Sequence, residues 1–254
     1  MDNPTLLRHQ TQRIRRETRR RNLTVSTVER LTPQMQRVVF TSPDLHDFES
    51  ASADDHVKLF LPGPVGADGK PEMRDYTPRS FDTAKGVLTI DFALHEAGPA
   101  TAWALSAKVG DSLSVGGPRG SAVVPDDFDW YLLIGDETAL PAMGRRVEEL
   151  RPGVPVTTVA VIDSDADRQV FAGKADWTGI WVVRNGQGDD TALLRAAIPQ
   201  LPPGEGYVWI AAEAMVARAL RAHVIDDLGH PMAWTKAAGY WTRGAVAEHT
   251  SIND

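Results

Sequence analysis

The sequence predicts two domains in series, a small antiparallel β-barrel followed by a doubly wound α/β domain. Three observations predict this. Short segments that alternate apolar and polar residues, punctuated by Gly and Pro, fill the first half of the chain. At Val124-Pro125-Asp126-Asp127 the rhythm changes. Beyond it, continuous apolar runs alternate with amphipathic stretches, the pattern of β-α-β repetition. The divisions expected are a basic N-terminal arm at 1–21, a barrel at 22–125 and an α/β domain at 126–254. A chain of 254 residues accommodates two cores, since domains run to about 100–200 residues each.

The elements follow in order. Residues 1–21 hold seven arginines, Arg8, Arg13, Arg15, Arg16, Arg19, Arg20 and Arg21. With no aromatic interleaving they read as a solvated, frayed terminal helix rather than a nucleic-acid arm. Alternation at 23–28 and 35–40 gives two half-buried strands, broken by Thr32-Pro33-Gln34. Residues 56–61 form a third, 65–72 a surface loop, 74–79 an extended strand and 87–95 another. Gly98-Pro99 then opens a helix over 98–105, because Pro is favoured at the first helical position. A strand at 113–115 and the Gly116-Gly117-Pro118-Arg119-Gly120-Ser121 segment close the barrel. In the second half, 130–134 is continuously apolar, as a buried parallel strand must be. Further strands are expected at 156–162, 180–183 and 207–211, and helices at 139–150, 191–198 and 214–228.

Composition excludes several chemistries. The net charge of -7 argues against a protein whose whole surface binds nucleic acid. With no cysteine there is no disulfide, thiolate metal site or cysteine-ligated cluster. Redox work would therefore need an organic cofactor or a metal held without cysteine sulfur. No apolar run approaches the roughly 18 residues of a membrane span, and the polar, basic N-terminus carries no secretory h-region. Cytoplasm and monomer are the default expectations.

The densest chemistry lies in Arg74-Asp75-Tyr76-Thr77-Pro78-Arg79. In an extended chain Arg74, Tyr76 and Pro78 face one way, and Thr77 and Arg79 the other. A tyrosine ring stacks on a flat heterocycle, a hydroxyl bonds its edge, and a guanidinium grips phosphate oxygens bidentately. This Arg-x-Tyr-Thr-x-Arg motif resembles the flavin-binding motif of the siderophore-interacting proteins, or ferric-siderophore reductases, a branch of the ferredoxin reductase-like flavoenzymes. The similarity runs from about Asn22 to about Gly244, with several motifs in the family's order.

The resemblance implies a noncovalent FAD held by Arg74, Tyr76, Thr77, Arg79, Asp91, His95, Gly98, Ala100, Trp103 and Ser121. For Trp103, core packing is the equal alternative. The free N–H groups at the start of the 98–105 helix suit the pyrophosphate. The segment Gly135-Asp136-Glu137-Thr138-Ala139-Leu140-Pro141-Ala142 lies where the first strand meets the first helix of the α/β domain. It resembles the family's nicotinamide-nucleotide turn, although no Gly-x-Gly-x-x-Gly is present. Gly135, Asp136, Glu137, Thr138 and Ala139, with Glu213 and Ala214 after a later strand, are the implied NADH or NADPH contacts. Glu213 reads equally as a helix N-terminal charge. Asp163, Asp165 and Asp167 favour an unphosphorylated ribose, Arg168 a 2′-phosphate, so the choice of dinucleotide stays open. Tyr240 or Trp241 is the aromatic implied near the flavin, with aromatic packing as the equal alternative.

By the same resemblance the protein is an NAD(P)H-dependent reductase that reduces ferric siderophores and releases Fe(II), with its chemistry at the flavin and no protein group certain as catalytic. Hard oxygen donors hold Fe(III) more tightly than Fe(II), so reduction itself loosens the iron. Lys58, Arg119 and Lys236 are the cations expected to receive an anionic chelate, and no metal ligands are required. The alternatives are a flavin-dependent reductase serving a protein acceptor and a non-enzymatic siderophore-binding protein.

Overall fold

The computed structural model describes residues 8–63, 69, 71–94, 98–186, 188–244 and the backbone of 250–251. It divides into two compact units, residues 13–123 and residues 8–12 with those from 124 onward.

The first unit is built from β1 (Gln12–Arg15), β2 (Arg20–Thr32), β3 (Met35–Thr41), β4 (Val57–Phe60), β5 (Met73–Tyr76), β6 (Ser80–Asp82), β7 (Val87–Ala93), α1 (Pro99–Ser106), β8 (Ser112–Gly116) and β9 (Gly120–Val123). Seven strands form one antiparallel sheet in the order β5-β4-β8-β2-β3-β7-β6, and β1 pairs with β9. The sheet curls into the expected barrel. Tyr76 of β5 meets Phe92 of β7, near the opposite end of that order, with ring centroids 4.5 Å apart. Inward positions of the alternating strands supply the core: Leu23, Val25, Val38, Phe40, Leu59, Leu88, Ile90 and Phe92.

The arginine-rich segment differs from expectation. It is not a frayed helix: Arg13–Arg15 lie in β1 and Arg20–Arg21 open β2. Strand alternation places Arg21 on the inner side beside Leu23. Its guanidinium is satisfied there by the carbonyls of Asp44 and Gly117 and the Asp47 carboxylate, at 2.9, 3.2 and 2.9 Å. A buried charge is tolerated when its donors are all met. Outward-facing Arg20 lies over the Phe60 ring, 4.0 Å from its centroid.

The second unit contains β10 (Trp130–Gly135), α2 (Leu140–Glu149), β11 (Pro155–Ile162), β12 (Asp176–Val183), α3 (Asp190–Ala197), β13 (Gly206–Glu213), α4 (Ala214–Ala222), β14 (Thr235–Trp241) and β15 (Thr250–Ser251). The sheet order is β12-β11-β10-β13-β14-β15, parallel but for β15. The strand order reverses between β11 and β13 around β10, which is the topological switch point of a doubly wound sheet. Leu132, Ile134, Val159, Val161, Val208, Ile210 and Leu220 fill its core. The helix expected over 214–228 runs as α4 and then a π-turn at His223–Asp227.

Residues 8–12 belong to this second unit. The His9 ring, 4% exposed, lies parallel to Phe128 at 3.8 Å. Its Nδ1 bonds Asp127 at 2.7 Å and its Nε2 bonds Glu205 at 3.0 Å.

Candidate functional site

In the barrel, the 74–79 segment is only partly a strand. β5 ends at Tyr76, and Thr77, Pro78 and Arg79 are buried together instead of alternating. Pro78 has no N–H to give a ladder, which ends the strand there. The Arg79 N–H donates to the Thr89 carbonyl of β7 at 2.9 Å. Half-buried Arg74 donates to the Met73 carbonyl at 2.8 Å and pairs with Glu72. Burial pushes the Tyr76 phenol well above its ordinary range, against the pull of Arg74, so it stays a neutral hydroxyl.

Asp91 of β7 lies between two guanidinium groups. Arg37 holds it bidentately at 2.7 Å for each oxygen, and Arg79 Nε stands 3.7 Å away. This ties the motif to β3 and β7. Arg37 was not singled out in the sequence, and its signal is a lone charge in the alternating strand opposite Asp91. Ser121 faces inward: it donates to Asp55 at 2.7 Å, on the same oxygen that Ser50 reaches at 2.9 Å. Trp103 packs against Phe92 and Phe40, at 5.6 and 6.0 Å.

The start of α1 is open. Gly98 is extended, gives no side-chain cap, and is followed by Pro99. With Ala100 next, the first-turn N–H groups meet no capping side chain, an arrangement suited to phosphate oxygens. His95 lies outside the described residues. An aromatic ring, a hydroxyl, two guanidinium groups and an uncapped helix start in one barrel fit a flavin dinucleotide by the chemistry of their donors. Lys58 of β4 donates to both Asp75 oxygens at 2.8 and 3.0 Å and is nearly half exposed. Arg119 is exposed just after the buried Gly117 and Pro118.

In the second unit the turn after β10 is tight. A Cβ on Gly135 would lie 2.1 Å from the Ala211 carbonyl oxygen and 2.6 Å from the Ala139 Cβ, so only glycine fits. Asp136, 1% exposed, then acts as a hub. Its Oδ1 accepts from the Thr138 N–H at 2.9 Å and from the Thr138 hydroxyl. Its Oδ2 accepts from the Glu213 N–H at 3.0 Å and from Trp241 Nε1 at 2.8 Å. A carboxylate has about four acceptor positions, and all are filled from within the protein.

Glu213 caps α4: Oε2 accepts from the N–H groups of Met215 and Val216 at 2.7 and 3.2 Å, and Oε1 from Arg243 N–H at 3.2 Å. The helix dipole favours that negative charge. Ala214 follows as the first residue of α4. Trp241 is thereby joined to Asp136 and Glu213, whereas Tyr240 meets Trp209 edge-on at 6.1 Å. Lys236 stands on β14 opposite Trp209 of β13.

Glu137 leads to Arg184, at the end of β12. Arg184 Nη1 and Nη2 hold the two Glu137 oxygens at 2.5 and 2.7 Å. Its Nε and Nη2 hold Asp190 at 2.8 and 3.0 Å, and Nη1 also reaches Asp163 at 2.6 Å. Burial alone would lower the Arg184 pKa, but these carboxylates outweigh it and hold the group firmly charged. Burial in turn pushes Glu137 up, with Asp136 adding to the effect against the pull of Arg184. Arg168, the other cation noted here, pairs with Asp165 at 2.6 Å. Among the described residues, no three His, Cys, Asp or Glu side chains are grouped as metal ligands, and no helix is long and apolar enough to cross a membrane.

Comparison with known proteins covers both units. Residues 24–69 and 65–122 match the siderophore-interacting FAD-binding domain, and residues 128–244 match the siderophore-interacting protein family. The NADPH-dependent ferric-chelate reductase of Escherichia coli K12 is 36% identical over 248 residues, covering 91% of this chain and 96% of that protein. A siderophore utilization protein from T. fusca superposes with a TM-score of 0.86 at 34% identity, over 94% of this chain and 99% of the other. The siderophore-interacting protein SipS of Aeromonas hydrophila superposes with a TM-score of 0.75 at 29% identity, over 90% and 93%.

Proposed function

We propose, because this chain belongs to the siderophore-interacting protein family, that it is an FAD-dependent NAD(P)H:ferric-siderophore oxidoreductase. NADPH is named for the E. coli relative, and a ferric chelate is what that relative reduces by name. The observation that carries the reading is the Tyr76 ring flanked by Arg74 and the buried Thr77 and Arg79, set on the barrel with the uncapped start of α1.

When bound, the flavin supplies what nicotinamide lacks, taking a hydride and passing electrons on singly. The chain's own residues bind and orient. Tyr76 offers a neutral ring and hydroxyl, Thr77 a hydroxyl, and Arg74 and Arg79 offer guanidinium groups for phosphate oxygens. Gly98 and Ala100 leave backbone N–H groups at the helix start for the same purpose. Arg37 and Asp91 fix Arg79 in place from behind. Gly135, Thr138 and Ala139 form the turn that admits a nicotinamide nucleotide at the switch point. Lys58, Arg119 and Lys236 attract an anionic chelate, with Asp75 tempering Lys58. Among the described residues there is no ligand set to capture iron, so reduced iron leaves with its loosened hold. We read the site of action as the cytoplasm and the working form as a monomer, which light scattering checks.

The test is anaerobic. Flavin-loaded protein is mixed with NADH or NADPH, bleaching is followed, and a ferric siderophore is added with a ferrous trap. Bleaching, recovery of colour and trapped Fe(II) are expected. Bleaching without trapped Fe(II) would reassign the electrons to a protein acceptor.

A further inference from the structure

We infer that the second unit selects the dinucleotide with an unphosphorylated ribose, NADH over NADPH, and that Arg184 is the positioning residue behind this choice. The inference rests on reading this unit as the nicotinamide-nucleotide site. It sets the chain apart from the nucleotide named for its E. coli relative.

In doubly wound sheets the ribose is read at the carboxyl ends of the strands beside the switch point. An acidic side chain there bonds the 2′-hydroxyl, and a nearby arginine accommodates a 2′-phosphate. Here Glu137 follows β10 and Asp163 follows β11, and Arg184 and Asp190 reach them from the end of β12, the edge strand beside β11. A guanidinium has five N–H donors. Arg184 spends all five on carboxylates: two on Glu137, two on Asp190 and one on Asp163. None remains for a phosphate.

Charge points the same way. Three carboxylates against one guanidinium leave the cluster with a formal charge of -2. Arg168, the cation that follows Asp167 after β11, is paired with Asp165. A 2′-phosphate carries about -1.5 to -2 at neutral pH, and like charges set together repel strongly. A ribose diol meets no such penalty. Asp163 is 49% exposed and gives Oδ1 to Arg184, so Oδ2 is the acceptor offered to a hydroxyl. Arg184 thus acts through Asp163: it holds the carboxylate in position while contributing no donor of its own.

The experiment is calorimetric titration of the FAD-loaded protein with ADP-ribose and with 2′-phospho-ADP-ribose, alongside bleaching rates with NADH and NADPH. ADP-ribose is expected to bind at least about tenfold more tightly, NADH to bleach correspondingly faster, and both gaps to shrink in high salt. Asp163→Asn removes one charge and should narrow the gap several-fold. Arg184→Lys, which has too few donors for three carboxylates, should weaken ADP-ribose binding, and Asp163→Asn keeps the test intact if that variant folds poorly. Equal or tighter binding of the 2′-phosphorylated fragment, or failure of both fragments to bind, overturns the inference. If ADP-ribose binds with the expected preference but neither dinucleotide bleaches the flavin, the selectivity stands and the proposed reaction falls.

Discussion

The barrel and the second unit both gather charged groups, but they gather them differently. In the barrel the proposed recognition groups come from six consecutive residues, 74–79, with Arg37 and Asp91 as support. In the second unit they come from the ends of three strands and meet at Arg184, whose partners Glu137, Asp163 and Asp190 are 47, 21 and 6 residues away. A second hub, Asp136, joins Glu213 and Trp241 across 77 and 105 residues. A site carried on one segment can lose a ligand and keep its scaffold. A site that is also the knot between strand ends cannot be altered without cost to the fold.

Substitutions test that contrast. The largest effect is expected from Arg184→Ala, which strands the buried Glu137 and Asp190 carboxylates. Denaturant unfolding should show a loss of about 3–5 kcal/mol, as for other broken buried ion pairs. Adding Glu137→Gln should restore part of it. Tyr76→Ala is next. It removes a half-buried ring from Phe92 at a cost of about 2 kcal/mol, and the purified protein should lose its flavin absorbance, whereas Tyr76→Phe should remain yellow. Asp136→Asn turns an acceptor into a donor facing N–H groups. A loss of about 1–2 kcal/mol is expected, with tryptophan emission shifting as Trp241 loses its partner.

A smaller effect is a pH slope confined to the second unit. Burial beside Trp130 and Trp234 lowers the His230 pKa below its usual 6.5, against backbone hydrogen bonds that raise it. The unfolded chain then binds the proton more readily, so stability is full above about pH 6.5 and falls as pH drops below it. Hydrogen exchange between pH 7 and 5 should show this slope in the second unit, and His230→Phe should flatten it. The smallest stability change is expected for Lys58→Ala, under about 1 kcal/mol for a half-exposed pair. Its flavin should be retained, and the KM for a ferric chelate should rise. An unchanged KM would remove Lys58 from the chelate site.

The same contrast explains what the sequence made legible. The barrel strands were readable from alternation, the α1 start from Gly98-Pro99, and the resemblance to a flavin motif from six adjacent residues. The parallel strands β10 to β13 were readable from apolar runs such as 130–134, whereas β14 was not expected. The arginine-rich terminus was not, because a run of arginines hides the alternation that places Arg21 inside and Arg20 outside. Trp103 and Glu213 had two open readings each, and only tertiary contacts show the packing of one and the helix cap made by the other. Arg184 gave no local signal beyond a charge after the apolar end of β12, since its partners are assembled by topology.

The His9 clamp bears on how the chain is made. Residues 8–12 leave the ribosome before the barrel does, yet Glu205, which His9 grips, follows 196 residues later. The second unit is therefore discontinuous, with the barrel inserted into it, and its earliest residues wait through the synthesis of an entire domain. Contacts of such separation close late and slowly. A fragment beginning at residue 124 would leave the Phe128 face without its imidazole cover and the Asp127 and Glu205 carboxylates without their bridge. The unit proposed to bind the nucleotide is thus one whose integrity depends on residues that precede the inserted barrel.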